Sequence, residues 1–143
     1  MKKIVLSLTL LPAIILITGF SGYERIVIES PDKMITVSLI PALKGEEDGL
    51  ISFSIDAGTK KILLPSSLSI VLKGRNPSEN FSVTKSEKIS VNTNWTNDFG
   101  ERRNVTDNYN QIRIFLNGGD TKINLICRVY NEGVAFAYEF PHQ

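Results

Sequence analysis

Residues 122–141 read K-I-N-L-I-C-R-V-Y-N-E-G-V-A-F-A-Y-E-F-P, and they hold two runs in which apolar side chains alternate with other side chains. The alternating apolar positions are Ile123, Leu125, Cys127 and Val129 in the first run and Val134, Phe136, Tyr138 and Phe140 in the second. A period of two puts successive side chains on opposite faces of a strand, so each run predicts a strand. Asn and Gly tolerate positive φ, so Asn131-Glu132-Gly133 between the runs predicts a tight hairpin turn.

The preceding chain contains further short alternating runs separated by turn residues. They predict strands at Arg25–Glu29, Met34–Ile40, Leu50–Ala57, Ile62–Pro65, Leu68–Leu72, Phe81–Val91 and Gln111–Asn117. Ser30-Pro31-Asp32-Lys33 predicts a turn, because proline presets φ and aspartate can accept a hydrogen bond from the backbone ahead. Asn92–Asn104 is polar and has no sustained period, so an irregular segment is expected there. Short strands without a helical period predict an all-β fold, an antiparallel β-sandwich.

The first 21 residues have the layout of a secretory signal peptide. Lys2 and Lys3 form a basic start, Ile4–Ile17 is almost wholly apolar, and small residues follow up to Ser21. The apolar run is shorter than the roughly 20 residues that cross a bilayer as a helix, although an uncleaved anchor is the alternative interpretation. We therefore expect a signal peptide at 1–21, one β-sandwich domain at 22–143, and an exported, periplasmic or extracellular product with no membrane attachment after cleavage.

Charge and cysteine content exclude several classes of function. Removing Lys2 and Lys3 changes the formal charge from +1 to −1, so the domain has no basic field for nucleic acid. A single cysteine excludes an intrachain disulfide and a cysteine-based zinc cluster. Cys127 alternates with apolar residues, which favours a small core hydrophobe. The alternative, a reactive thiol, needs an electropositive and partly exposed setting that no neighbouring His or Lys pattern supplies.

Catalytic and metal-binding motifs are not found. The only histidine, His142, is next to the last residue, where no fold can orient it in a catalytic triad. The acidic run in Lys44–Gly49 lacks the alternate spacing of oxygen ligands that a calcium loop requires, so a solvated loop is favoured. No catalytic residue and no metal ligand is therefore predicted.

An irregular, aromatic-bearing segment is the one candidate for ligand binding. Trp95, Glu101 and Tyr109 lie close together in the sequence. An aromatic ring can stack on the C–H face of a sugar while carboxylates accept hydrogen bonds from its hydroxyl groups, so these three residues are the predicted substrate-binding set. The alternative is that Trp95 and Tyr109 close one end of the sandwich, because buried aromatic rings dominate core energetics.

Two motifs together carry a family resemblance. The first comprises Trp95, Phe99-Gly100-Glu101-Arg102, Val105 and Asp107-Asn108-Tyr109-Asn110, and the second is the run Cys127–Pro141. Together they resemble the N-terminal domain of glycoside hydrolase family 97, the bacterial α-glucosidases and α-galactosidases. The turn Ser30-Pro31-Asp32 fits the same layout. Two departures bear on the packing of the hairpin: Ala137 stands where the family often has Arg, and Cys127 where it often has Phe.

The resemblance implies a non-catalytic sandwich that precedes and supports a catalytic barrel. Such sandwiches are part of a galactose-mutarotase-like supersandwich, longer than this chain, and the full enzyme requires calcium. The catalytic carboxylates and most calcium ligands belong to the barrel, so no cofactor and no hydrolase activity are expected of this chain alone. The implied partners are that barrel and an α-linked oligosaccharide. A stand-alone sugar-binding module and a structural or interaction domain are the alternatives.

Overall fold

The computed structural model describes residues 25–41, 51–70, 81–118 and 121–141. These residues form the strands β1 (Ile26–Glu29), β2 (Ile35–Pro41), β3 (Ile51–Ala57), β4 (Lys60–Leu68), β5 (Ser82–Thr96), β6 (Asn104–Asn117), β7 (Lys122–Tyr130) and β8 (Val134–Glu139). Nothing in these ranges forms a helix of the length and apolarity needed to cross a membrane. The predicted signal peptide 1–21, the acidic loop Lys44–Gly49 and His142 lie outside the described residues.

The strands form two antiparallel sheets of four strands each, with the orders β1-β2-β3-β4 and β5-β6-β7-β8. The sheets face each other so that β1 lies over β6 and β2 over β7. The rings of Phe53 on β3 and Phe136 on β8 meet edge to face, with centroids 4.8 Å apart. This two-layer arrangement confirms the predicted all-β antiparallel sandwich.

The core consists of the alternating apolar rows that face each other between the sheets. Its fully buried members are Val37, Leu39, Ile51, Ile112, Ile114, Ile123, Leu125, Cys127 and Val129. The apolar row predicted for β7 is therefore confirmed. Burial raises the pKa of the Cys127 thiol to about 12, so this thiol stays protonated at neutral pH and behaves as a core hydrophobe.

Two strand predictions are wrong in their extent. Ile62–Pro65 and Leu68 were expected in separate strands, but β4 runs through Pro65 and pairs with β3 by means of register shifts. Residues 92–96 were expected to be irregular, but they continue β5 in register with β6 up to the pair Thr96 and Asn104. Cross-strand hydrogen bonding extends a hairpin regardless of side-chain period, so a polar sequence could not reveal this extension.

The turn between β7 and β8 differs from the expected type. Among the described residues, positive φ occurs only at Lys33, Gly58 and Gly100, so Asn131-Glu132-Gly133 does not use it. The Tyr130 N–H donates to the Gly133 carbonyl at 2.8 Å, and the strands pair from Val129 and Val134 onward. Four residues lie between Val129 and Val134. A loop of four residues can reverse the chain without the positive φ that a two-residue hairpin turn requires.

The predicted turn between β1 and β2 is confirmed and reaches across to the other sheet. The Ser30 hydroxyl donates to Asp32 Oδ1 at 2.6 Å and accepts from the Ile35 N–H at 2.9 Å. Asp32 Oδ1 also accepts from the Met34 N–H at 3.0 Å. The Asp32 N–H donates to Asn131 Oδ1 at 3.1 Å, which joins this turn to the β7–β8 turn.

Asp32 gives the fold a predicted acid sensitivity. The Ser30 hydroxyl, followed by the Met34 N–H, lowers the pKa of the Asp32 carboxyl. A carboxyl with a lowered folded pKa stabilises the fold above its unfolded pKa, and this contribution is lost as the pH falls through the folded value, below about pH 4. We expect Asp32→Asn to lower the Tm at pH 7. On acidification, the Tm of the variant should then fall by less than the Tm of the wild type. Equal acid-induced losses in Tm for the wild type and the variant would contradict this.

Candidate functional site

The β5–β6 hairpin extends past the rest of its sheet. β7 pairs with β6 only from Tyr109 to Asn117, so residues 92–108 form a two-stranded arm. From Tyr109 to Asn104 the arm extends roughly 17 Å at about 3.3 Å per residue. A two-stranded ribbon without a third strand has little stability of its own, so the arm depends on the sheet at its base for its order.

The tip of the arm is a defined turn that presents an aromatic ring to solvent. The Asn97 N–H donates to the Arg103 carbonyl at 2.7 Å, and Asn97 Oδ1 accepts from the Phe99 N–H at 3.2 Å. Gly100 has a φ of 136°, a conformation that L side chains rarely adopt. Phe99 is 89% exposed, and Glu101 beside it is also exposed.

Trp95 lies on the outer face of the second sheet, which points away from the first sheet. Trp95 pairs with Val105 on β6, and cross-strand partners share a face. Val105 lies on the same face of β6 as Tyr109, whereas the buried Ile112 lies on the opposite face, because successive side chains alternate. Its side chain is 52% exposed. Half of the indole is therefore available for contact, and Trp95 does not close an end of the sandwich.

Tyr109 lies on the same outer face but is covered by its neighbours. The Arg128 guanidinium lies 4.6 Å from the centre of its ring, and the Tyr130 ring centre is 5.1 Å away. Arg128 Nε donates to Gln111 Oε1 at 2.8 Å, which fixes the guanidinium over Tyr109. A hydrogen bond with Tyr130 raises the pKa of Arg128, and Tyr109 and Asp107 add to this effect. Tyr109 is only 6% exposed as a result.

The three predicted residues do not surround one point. Trp95 and Tyr109 share a face but are separated by four positions along the paired strands, or about 13 Å. Glu101 is at the tip and forms no ion pair with any residue that the structure describes. Phe99 belongs to the aromatic-bearing segment of the sequence but is not in the predicted set. The alternation along β7 predicts that Arg128 lies on the face opposite the core row, but nothing in the sequence indicates that its guanidinium covers Tyr109.

Elsewhere on the sandwich, the described residues line two open clefts. One of about 480 Å³ runs between β1 and β5 and is lined in part by Glu29, Lys88 and Asn110. The other, of about 260 Å³, lies beside Phe115 and Asn124. Neither is lined by Trp95, Glu101 or Tyr109, so the predicted set lies in neither cleft.

The fold and the motifs on the arm and the β7–β8 hairpin point to the N-terminal sandwiches of glycoside hydrolases. Residues 28–143 match the family described as Glycosyl-hydrolase 97 N-terminal, and the chain belongs to that family.

Solved structures of larger enzymes contain the same fold. A Glycoside Hydrolase Family 97 enzyme from Pseudoalteromonas sp. strain K8, solved in complex with panose and in complex with acarbose, is 27% identical to this chain with a TM-score of 0.70. A beta-arabinopyranosidase has the same TM-score at 23% identity, which shows a shared fold. Each match covers 82% of this chain and 18% of the other, so the chain spans less than a fifth of the enzymes it resembles.

Alanine substitutions should separate the two aromatic residues by their packing. We expect Tyr109→Ala to lower the free energy of unfolding by about 3 kcal/mol, because it removes a buried ring and leaves a cavity under Arg128. Trp95→Ala should cost about 1 kcal/mol or less, since half of the indole is already in water. Denaturant titration measures both values. Tyr109→Phe keeps the ring and is the control, and equal losses for Trp95→Ala and Tyr109→Ala would contradict the described packing.

Proposed function

We propose that this chain is the non-catalytic N-terminal β-sandwich of an exported family 97 α-glycosidase and supports the catalytic barrel of that enzyme. The observation that carries the proposal is the match over residues 28–143 to the N-terminal family, together with the 18% share of the enzyme structures that the chain spans. The α-linked oligosaccharide substrate is inferred from the resemblance, and panose in the Pseudoalteromonas enzyme supports it.

The outer face and the arm provide the surface for such a supporting role. Trp95 and Phe99 are exposed on an arm that projects beyond β7, and the guanidinium of Arg128 lies over Tyr109 on the same sheet, at the base of the arm. Tryptophan and arginine are enriched among the residues that dominate protein–protein binding energy. We therefore assign the contact with the barrel to this arm.

Calcium is the cofactor that the resemblance implies for the full enzyme. In the described part of the chain, no three acidic, histidine or cysteine side chains come together as a metal site. These residues therefore do not fit a calcium centre of their own. We propose that its ligands belong to the remainder of the enzyme.

An activity assay on the purified chain is the first test. We expect no hydrolysis of nitrophenyl α-glucoside or α-galactoside, because the barrel that carries the catalytic carboxylates in such enzymes is not in this sequence. The Pseudoalteromonas enzyme serves as the positive control. Turnover that copurifies with the chain and is lost on heat unfolding would overturn the non-catalytic role.

An exchange of domains tests the supporting role directly. Residues 28–143 replace the matched segment of the Pseudoalteromonas enzyme, and the chimera is compared with one that carries an unrelated β-sandwich. We expect hydrolysis by the first chimera and none by the second. Loss of activity in the chimera by Phe99→Ser together with Trp95→Ser, with folding intact, would support contact through the arm. Full activity of the unrelated chimera would count against any specific support.

A stand-alone sugar-binding module is the second candidate, favoured by the half-exposed Trp95. The chain has one tryptophan, so its fluorescence reports on this position alone. Under this second function, maltooligosaccharides quench the fluorescence in a saturable way, while the β-linked control cellobiose does not. If maltooligosaccharides do not change the fluorescence, the chain is a supporting or an interaction domain. The exchange of domains then distinguishes these two functions.

A further inference from the structure

The arm leaves the second sheet at a row of three paired residues. Val91 on β5, Tyr109 on β6 and Tyr130 on β7 lie opposite one another, and β7 ends at this row. A two-stranded ribbon bends most easily perpendicular to its plane, because such bending leaves the hydrogen bonds between its strands intact. The direction of the arm therefore depends on side chains that hold its base on the two faces of the sheet.

On the outer face, the side chain of Arg128 reaches across this row. Arg128 is paired with Gln111, one position inside the row, and its Nε donates to Gln111 Oε1 at 2.8 Å. Its guanidinium lies 4.6 Å from the ring centre of Tyr109, in the row itself. A hydrogen bond with Tyr130 raises the pKa of Arg128 most, and the charge of Asp107, on the arm, acts in the same direction. One side chain thus contacts the sheet and the base of the arm.

On the inner face, β1 offers two carbonyl groups to the second sheet. The Ser30 N–H donates to the Ile35 carbonyl on β2, which fixes the alternation of hydrogen bonds along β1. The carbonyls of Val27 and Glu29 therefore point away from β2. Side chains of the second sheet donate hydrogen bonds to both carbonyls.

Asn110 forms the one of these bonds that lies next to the row. It follows Tyr109 in the sequence and faces the first sheet, since its partner Val129 is fully buried in the core. Asn110 Nδ2 donates to the Glu29 carbonyl at 2.8 Å, and Asn110 Oδ1 accepts from the Ser90 hydroxyl at 2.6 Å. The base of the arm is thereby bonded to β1.

We propose that Arg128 on the outer face and Asn110 on the inner face are positioning residues that fix the direction of the arm relative to the sandwich. A tilt toward the first sheet moves the arm away from the guanidinium, and a tilt in the other direction pulls Asn110 away from β1. The arm then presents Trp95 and Phe99 in one position. Only the consequence for the catalytic barrel rests on the proposed function.

Backbone amide order parameters from ¹⁵N relaxation of the purified chain test the proposal. A rigid backbone has a value of about 0.85 and a flexible one a value below about 0.6, and we expect the wild-type arm to be near the rigid value. Arg128→Met keeps the aliphatic stem but removes the guanidinium. It should lower the values of residues 92–96 and 104–108 by about 0.2 or more and leave the core of β7 unchanged.

The matched control for Arg128 is Arg113→Met. Arg113 is an arginine on the same face of the sheet, paired with Ile126 away from the arm, and its Nε lies 3.6 Å from Glu139 Oε2. This substitution should leave the order parameters of the arm unchanged.

Substitutions of Gln111 separate positioning from a general loss of stability. Gln111→Leu removes the acceptor of Arg128 Nε and should lower the order parameters of the arm, whereas Gln111→Glu keeps an acceptor and should preserve them. A merely structural role for Arg128 would lower the Tm without this difference between the two variants. The Gln111 pair also decides the outcome if Arg128→Met does not fold.

The inner face has its own pair of variants. Asn110→Ala removes the bond to the Glu29 carbonyl and should increase the motion of the arm. Lys88→Met removes the bond from Lys88 Nζ to the Val27 carbonyl, which lies two residues farther from the arm along β5. It should leave the arm unchanged.

Each outcome supports or overturns the proposal. A wild-type arm with values below about 0.6 overturns it, because the arm is then not held. Arm values that are unchanged in Arg128→Met, or that fall equally in Arg113→Met, overturn the role of Arg128. The same outcomes for Asn110→Ala and Lys88→Met overturn the role of Asn110.

The domain exchange distinguishes failure of this proposal from failure of the proposed function. If Arg128→Met increases the motion of the arm but the chimera that carries it hydrolyses its substrate at the full rate, the positioning role stands and the contact of the arm with the barrel is wrong. If the motion of the arm does not change, the positioning role is wrong, whatever the activity of the chimera.

Discussion

The burial of one row of side chains on β7 is the constraint on which the rest of the fold depends. Ile123, Leu125, Cys127 and Val129 are fully enclosed between β2 of the first sheet and the neighbours of β7 in the second. Because side chains on a strand alternate, fixing this row toward the core forces Arg128 and Tyr130 to the outer face. A slip of one residue would bury the guanidinium of Arg128 and expose the row, so the register of the second sheet has no competitive alternative.

The outer face that this register creates is partly shielded from solvent, although it lies on the side of the sheet away from the core. Arg128 covers Tyr109, and Gln111 holds the guanidinium in place. The aromatic ring gains burial from a charged neighbour whose stem and planar head cover it, as cation–π contacts commonly do. The face is thus covered around Tyr109 and strongly exposed along the arm, where Trp95 and Phe99 lie.

The edge strands β1 and β8 differ in how their backbone groups are covered. At β1, the side chains of Lys88 and Asn110 from the opposite sheet donate hydrogen bonds to the outward-pointing carbonyls of Val27 and Glu29. A neighbouring strand would otherwise donate to these carbonyls. At β8, the backbone pairs with β7 in unbroken register, and the side chains before Glu139 are apolar or small.

The alternating rows by themselves determined the all-β class, the hairpin of β7 and β8 and the core position of Cys127. A strand that buries one face has an apolar residue at every second position, so the sequence alone shows this pattern. The motifs around Trp95 and Cys127–Pro141 likewise determined the family, which the match over residues 28–143 shows. Only the tertiary structure decided that residues 92–96 continue a strand, that Tyr109 is covered, and that Trp95, Glu101 and Tyr109 are spread from the base of an arm to its tip. These depend on cross-strand partners distant in sequence, such as Arg128 over Tyr109, and local side-chain pattern carries no information about such partners.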